Sequence, residues 1–503
     1  MRSRTRTALL GLLGSATVVT ATLSAGTATP SAAAGVACKV DYAVNDWGAG
    51  FSANLTLTNL GTASLSGWQI TYAYTGNQQL QQGWNGTWTQ SGKTVTVSSA
   101  TWNGTVAPNA SVGTGANFGY SGANAAPTSF SVNGSPCTGT PPPTTSTTTM
   151  PTTTTPTTTT SAPPPGGAPA LHVSGNRLAD SAGRPVTLRG VNRSGGEFAC
   201  VQGNGIFDGP MDAASVTAIK GWHANVVRVP FNEDCWLGLP NVKPEYAGAT
   251  YRAALKSYVD LLHSNGIVAI IDLHWNQGAY TGPVAACADV NSTCQKPMTD
   301  SAHSVDLWKS VAETFKGDNA TIFDLFNEPY LDMALTQSTA AWTCWRDGGS
   351  ACSAISYPVA GMQSLVNAVR GTGATNVLML GGLSWSNNLS QWLQFKPSDP
   401  AGNLVASWHS YNFNTCSSAS CWDSQLAPVA AAVPLVAGEI GENDCAGGYV
   451  TGLMDWLDRH QASYLGWTWN TWPCTSGPAL ITAYDGTPTA FGQAIRAHFL
   501  AAG

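Results

Sequence analysis

Residues 267–275 read IVAIIDLHW and residues 321–329 read TIFDLFNEP. Each is an apolar run of strand length that turns polar at its C-terminal end, at His274 in the first and at Asn327-Glu328 in the second. Between them, SVDLWKSVAETF (304–315) has the apolar spacing of an amphipathic helix. Buried strand, helix, buried strand is the repeating unit of a parallel sheet. The unit recurs in both directions, with strands VTLRGVN (186–192), NVVRVP (225–230), NVLMLGG (376–382), LVASWHSY (404–411), VPLVAGEIG (433–441) and YLGWTWN (464–470), and a further helix YRAALKSYVDLLHSNG (251–266). Eight strands with helical stretches between them within 169–503 predict a (β/α)8 TIM barrel rather than an open sheet.

The strand ends carry the chemistry. Arg228 ends the second strand, His274 the third, Asn327-Glu328 the fourth, His409 and Tyr411 the sixth, Glu439 the seventh and Trp469 the eighth. In a parallel barrel these ends converge on one face, so residues distant in sequence are expected around one pocket. Glu328 and Glu439 come from opposite walls of the mouth, placed to flank a glycosidic bond, whose cleavage needs a proton donor and a second carboxylate. One Glu at a strand end reads as a salt bridge or a helix cap. Two, with an Asn, two His, a Tyr, an Arg and a Trp at matching ends, read as an active site. Glu233, Asp234, Asp272, Glu442 and Asp444 read instead as hydrated loop groups or structural hydrogen-bond acceptors. Trp236, Trp275, Trp385 and Trp472 read equally as sugar platforms or as rim packing.

The rest of the chain gives this domain a setting. Residues 1–34 begin with Arg2, Arg4 and Arg6, continue through a mostly apolar stretch and end on Ala32-Ala33-Ala34, the order of a secretory signal peptide. Later apolar runs are too short to span a bilayer, so a secreted, extracellular protein is expected. Residues 139–168 are a Thr/Pro-rich linker, too polar to fold and stiffened by proline. The segment 35–138 alternates short β-type runs with Gly/Asn turns (FSANLTLTNL, GWQITYAY, KTVTVSSA, PTSFSVNG), which predicts an antiparallel β-sandwich. The chain is therefore multidomain.

Only 10% of the 503 residues are charged, the net charge is −6, and there are 19 Trp. Such a surface suits a neutral, hydroxyl-rich partner and argues against nucleic acid or an anionic membrane. Twelve Cys in an exported chain predict disulfides. Cys287/Cys294, Cys344/Cys352 and Cys416/Cys421 would each close a short loop, and position and elimination leave Cys38–Cys137, Cys200–Cys235 and Cys445–Cys474. No CxxC or HxxxH spacing suggests a metal site, and no metal or organic cofactor is expected.

The motifs RGVN (189–192), RVP (228–230), DLHW (272–275), FNEP (326–329), WHSY (408–411) and GEIG (438–441), in this order, resemble glycoside hydrolase family 5 across nearly all of 171–503. The resemblance implies a retaining mechanism, with Glu439 as nucleophile and Glu328 as acid/base. It also implies support from Arg228 and Tyr411, sugar contacts from Asn327, His274 and His409, and a pyranose stacked on Trp469. Segments CKVDYAVNDWGAGF (38–51), NLGTASLSGWQITY (59–72), GWNGTW (83–88), WNGTVAPN (102–109) and SVNGSPC (131–137) resemble the family 2 carbohydrate-binding modules. By that resemblance Trp47, Trp84 and Trp102 are the cellulose-stacking aromatics and Trp68 a core residue, while Trp88 stands where the family has a smaller side chain. The expectation is a monomeric endo-β-1,4-glucanase acting on cellulose. The competing readings are a β-mannanase or other wall hemicellulase on the same scaffold, and a non-catalytic polysaccharide-binding protein.

Overall fold

The computed structural model describes residues 37–137, without 47–49, 101–102, 109 and 123, and residues 167–502, without 475. The expected signal segment and residues 139–166 of the expected linker lie outside them. Ala168, expected to be linker, is buried and donates its N–H to the His263 carbonyl, so the larger domain begins slightly earlier. The chain divides into two compact units, one on each side of the Thr/Pro-rich stretch. No helix among the described residues is long and apolar enough to cross a membrane.

Two larger antiparallel sheets build the smaller unit, together with a two-stranded pair of Leu65–Ser66 and Thr105–Val106. One has the spatial order Cys38–Asp46, Gly50–Asn59, Ser111–Gly119, Gln79–Trp84. The other runs Ser135–Pro136, Phe130–Val132, Gln69–Ala73, Thr94–Ser98, Thr87–Ser91. Strict alternation drives the packing. Phe51, Ala53, Leu55 and Leu57 are buried, whereas Asn54 and Thr56 between them are exposed. Trp68 fills the core and donates from Nε1 to the Asn103 carbonyl at 2.7 Å. Cys38 and Cys137 are disulfide-bonded, joining the two ends of the module.

The larger unit is a closed eight-stranded parallel barrel. Its strands are β1 (Arg189–Asn192), β2 (Val226–Asn232), β3 (Val268–Trp275), β4 (Thr321–Asp324), β5 (Leu378–Gly381), β6 (Leu404–Tyr411), β7 (Leu435–Gly441) and β8 (Ser463–Gly466). Helices follow them in turn, among them α1 (Ala213–Lys220), α2 (Gly248–Ser264), α3 (Ser304–Phe315), α4 (Met362–Gly371), α5 (Trp392–Phe395), α6 (Ala427–Ala432), α7 (Gly448–Arg459) and α8 (Ala490–Ala502). Two strands end several residues before their expected C-terminal ends: β4 stops at Asp324, short of Asn327, and β8 at Gly466, short of Trp467.

Period-two alternation divides each strand between two cores. Val226, Val268, Ile270, Ile322, Met379, Val405, Val436 and Leu465 point inward and fill the lower barrel, closed beneath by Leu171 and Leu178 of an N-terminal hairpin. Val227, Val229, Ala269, Ile271, Phe323, Ala406, Trp408 and Ala437 point outward against the helices. Carrying the inward register upward places Arg228 above Val226, Asp272 and His274 above Ile270, Asp324 above Ile322, and His409 above Val405. One apolar core thus becomes a polar floor without any change of strand.

Closure requires β1 to approach β2 closely at Gly190, where a Cβ would lie 1.8 Å from the Val226 carbonyl oxygen. The five barrel disulfides, Cys200–Cys235, Cys287–Cys294, Cys344–Cys352, Cys416–Cys421 and Cys445–Cys474, all lie in segments that follow strands. They therefore belong to the C-terminal face.

Gly190→Ala should destabilise the barrel by about 3 kcal/mol or more, because the clash is with backbone that cannot rotate away. Calorimetry should show the larger domain melting several degrees lower with the smaller one unchanged. An unaltered melting temperature would contradict the close approach.

Candidate active site

The polar floor is organised on Arg228, whose side chain is wholly buried. Nε donates to Asp324 (2.9 Å), Nη1 to Asn192 (2.9 Å) and Glu439 Oε1 (2.8 Å), and Nη2 to Asn327 Oδ1 (2.8 Å). Nη2 also lies 3.0 Å from Asp272 Oδ1 as an ion pair. Burial alone would weaken the charge of the guanidinium, and the carboxylates of Asp272, Asp324 and Glu439 more than restore it. Asp324 in turn is pushed well above the usual carboxylate range by burial and by its acidic neighbours, against the pull of Arg228.

The two glutamates face one another across His409. Glu439 accepts from Arg228 at Oε1 and from the Tyr411 hydroxyl at Oε2, the latter at 2.7 Å. Burial and the Glu439 charge push the Tyr411 hydroxyl well above its ordinary range, so it remains a donor. Glu328 Oε1 lies 2.9 Å from His409 Nδ1, and Oε2 accepts from Gln295 Nε2 at 2.8 Å. Burial raises the Glu328 carboxyl above its ordinary value. His409 Nδ1 is 3.7 Å from Glu439 Oε2. Burial pulls the ring down to about 4, so it is neutral at ordinary pH. Its Nε2 has no hydrogen-bond partner among the described residues. A bare nitrogen costs less there than an unpaired N–H, which assigns the ring hydrogen to Nδ1, facing Glu328.

His274 stands beside them. Its Nδ1 is 2.6 Å from Asp272 Oδ2, and its Nε2 is 3.3 Å from Asn327 Nδ2. Burial opposes a charge on this ring, yet the adjacent Asp272 carboxylate prevails and pulls it up to about 9. The amide oxygen of Asn327 is held by Arg228, so its NH2 faces His274. That contact is a hydrogen bond only while Nε2 is bare; with the ring charged, Nε2–H and the amide NH2 are two donors face to face, which opposes the pull of Asp272.

Arg228, His274, Asn327, Glu328, His409, Tyr411 and Glu439 thus come together as the strand ends suggested. Trp469 does not join them. The strand reading ran to residue 470, but β8 ends at Gly466, after which Trp467 donates its N–H to Ile440 O and Trp469 to Asn192 O. The Trp469 ring is fully buried, edge-on to Trp222 at 4.8 Å. Trp467 is the one at the cleft, half-buried, with its ring stacked on His274 at 5.4 Å and 13°. Gln295 was also missed, because it lies in a loop beside Cys294 rather than at a strand end.

Among the discounted groups, Asp272 supports His274 and Arg228. Glu233 accepts from Gln277 N and Ser304, Asp234 from Ser292, Glu442 from Val450 N, and Asp444 from Ala446 N. Trp236 is buried among Phe231 and Phe315. Trp275 and Trp472 flank Phe198. Trp385 lines the cleft and lies flat against Tyr330 at 5.0 Å. The cleft has a volume of about 610 Å³, and Phe413, 63% exposed, stacks on Tyr411 at its rim. Another hollow, of about 670 Å³ beside Trp222 and Tyr484, contains none of the residues around Arg228.

Behind Trp385 is an unusual turn. Ser384, Trp385 and Ser386 are consecutive non-glycine residues with φ of 51°, 56° and 61°. Each left-handed residue of this kind costs about 1–2 kcal/mol. The turn folds back on β5, and a Cβ at Gly381 would lie 2.3 Å from Ser386 Oγ.

Glu328, His409 and Glu439 each present one potential ligand atom within 4.8 Å of the others, the one such grouping among the described residues with a size that could hold a metal ion. In the smaller unit, Trp84 is half-buried on an edge strand with its ring across Gly115. Trp88, also half-buried, donates to Thr114 Oγ1. Trp47 and Trp102 lie outside the described residues.

Comparison with known proteins agrees with this geometry. The family model described as cellulase (glycosyl hydrolase family 5) matches residues 179–472, and that of the cellulose binding domain matches 38–137. Endoglucanase CelA of Streptomyces lividans is 29% identical over 478 residues, covering 92% of this chain and 90% of the relative. Exoglucanase B of Cellulomonas fimi is 44% identical over 125 residues, which are 25% of this chain and 11% of that protein, so only one module is shared. The crystal structure of a beta-glucanase from Saccharophagus degradans superposes with a TM-score of 0.50 at 19% identity, covering 67% of this chain and 94% of that one, a likeness that bears on the fold. The chain belongs to glycosyl hydrolase family 5, with a family 2 cellulose-binding module at its N-terminus.

Proposed function

We propose that the protein is an exported, monomeric endo-β-1,4-glucanase that cleaves cellulose with retention, Glu439 acting as nucleophile and Glu328 as acid/base. One observation carries this reading: an oxygen of Glu328 lies within 4.8 Å of an oxygen of Glu439, with His409 between them. Retaining glycosidases hold their carboxyl groups about 5–5.5 Å apart, whereas inverting ones leave about 6.5–9.5 Å for a water. The endo-glucanase assignment draws further support from the relative that aligns along almost the whole chain, itself an endoglucanase.

Each environment suits its role. Arg228 and Tyr411 both donate to Glu439 and hold its carboxylate in place for attack on the anomeric carbon. Burial raises the Glu328 carboxyl, which favours the proton that it delivers to the leaving oxygen and later recovers from the attacking water. Asn327 Nδ2 has a second hydrogen, beyond the one facing His274, for the sugar 2-hydroxyl. Trp467, rather than Trp469, supplies the aromatic face for the pyranose ring. The N-terminal module holds the enzyme on an insoluble substrate and raises its local concentration there.

Release of reducing sugar should be greatest from carboxymethylcellulose and weaker from glucomannan, galactomannan and xylan. Glu439→Gln should cut it by about 10³-fold or more while leaving cellulose binding intact. Dominant mannan hydrolysis would make the protein a mannanase, and undiminished hydrolysis by the variant would remove Glu439 from the mechanism.

The fall of kcat/KM at high pH should report loss of the Glu328 proton. Gln295 donates to the charged carboxylate and so holds its pKa down. Gln295→Met therefore raises that pKa, and the alkaline limb of the pH profile moves to higher pH. A limb that stays put or moves downward counts against the acid role of Glu328.

Replacing Trp47, Trp84 and Trp102 together by Ala should abolish retention on crystalline cellulose and spare turnover of soluble cello-oligosaccharides. Retention by the triple variant in a pull-down would place the binding face elsewhere.

A further inference from the structure

The left-handed turn at Ser384–Ser386 encloses the backbone on both sides of Glu328. Trp385 N–H donates to the Pro329 carbonyl at 2.9 Å, and Ser386 Oγ donates to the Asn327 carbonyl at 2.8 Å. The Ser386 carbonyl also accepts from the backbone N–H of His409, whose ring touches Glu328, at 3.1 Å. The residue before Glu328, the residue after it and its histidine partner are therefore all tied to one three-residue turn. That turn is strained, since none of its residues is glycine. Across the cleft wall, Asp332 grips its first residue, accepting from Ser384 N–H through Oδ1 at 3.0 Å and from the Ser384 hydroxyl through Oδ2. Asp332 is half-buried and, among the described residues, has no other hydrogen-bond or ion-pair partner, so both of its oxygens serve the turn.

We infer that Asp332 is a positioning residue for acid catalysis: it holds the Ser384–Ser386 turn in its left-handed form, and through it sets Glu328 and His409 on the glycosidic oxygen. The inference rests on Glu328 being the acid/base. Without the carboxylate, the turn relaxes toward ordinary backbone angles and the Asn327, Pro329 and His409 contacts loosen together. Proton delivery then suffers, while Glu439, held by Arg228 and Tyr411, stays in place.

Substrates with different leaving groups separate these effects. An oligosaccharide leaving group needs the proton from Glu328, whereas 2,4-dinitrophenolate departs without one. For Asp332→Ala, kcat/KM on cellohexaose should fall by about tenfold to a hundredfold, the scale expected when a proton donor is displaced. On 2,4-dinitrophenyl β-cellobioside it should stay within about threefold of wild type, because general acid catalysis is not at stake. Asp332→Asn, which keeps one acceptor oxygen, should retain the fold and fall between the two on cellohexaose. Equal losses on both substrates, or no loss on either, in both variants would overturn the inference. Glu328→Ala is the control: if it lacks the leaving-group contrast, the acid/base assignment fails; if it shows the contrast and the Asp332 variants do not, only the role of Asp332 falls.

Discussion

A single buried cation sets the terms for the upper barrel. Arg228 rises from β2 and makes contact with Asn192 from β1, Asp272 from β3, Asp324 and Asn327 at the end of β4, and Glu439 from β7. A guanidinium placed out of water is tolerated only when its donors are satisfied, and breaking such a network leaves a stranded charge at a cost of several kcal/mol. The strands must therefore close at the register that brings those oxygens to Arg228, and at that register Glu439 is already fixed facing the cleft. Lysine could not substitute, since its ammonium lacks the five-donor planar fork that reaches so many acceptors at once.

The charge balance follows from the same contact. Three acidic side chains meet one guanidinium, an excess of negative charge in a space closed to solvent. Burial first, and then the acidic neighbours, push Asp324 upward, while Asp272 pulls the His274 ring upward against burial. Glu328 lies at the edge of this field rather than in its centre. Its own raised pKa comes first from burial, opposed by the Gln295 hydrogen bond and by the nearby positive charges. Two chemically identical carboxyls so acquire different surroundings, Glu439 between Arg228 and Tyr411 and Glu328 between His409 and Gln295.

The barrel and most of its site were legible in the sequence because strand periodicity and the polar strand ends obey the same rule. An inward residue near the top of a parallel strand must face the mouth, so His274, His409 and Arg228 could be placed without coordinates. What periodicity does not encode is where a strand stops. Read as a strand through residue 470, the eighth segment brought Trp469 to the mouth. In the folded chain the ladder ends at Gly466, Trp467 occupies the cleft, and Trp469 turns back against Trp222. Gln295, Asp332 and the Ser384–Ser386 turn were invisible for a related reason. They sit in loops, where position depends on long-range hydrogen bonds and a backbone conformation that residue type argues against. In the smaller unit, alternation marked the strands, and Trp68 proved to be core as its resemblance implied.

The placement of the barrel disulfides has its own consequence. The eight strands and helices α1 to α8 contain no cysteine, whereas the segments around the mouth are stitched by Cys200–Cys235, Cys287–Cys294, Cys344–Cys352, Cys416–Cys421 and Cys445–Cys474. A thiol-rich environment would thus unfasten the rim first and leave the scaffold standing, giving a protein that is folded but blunt. The working life of such a molecule is tied to oxidising surroundings through its catalytic edge, not through its frame.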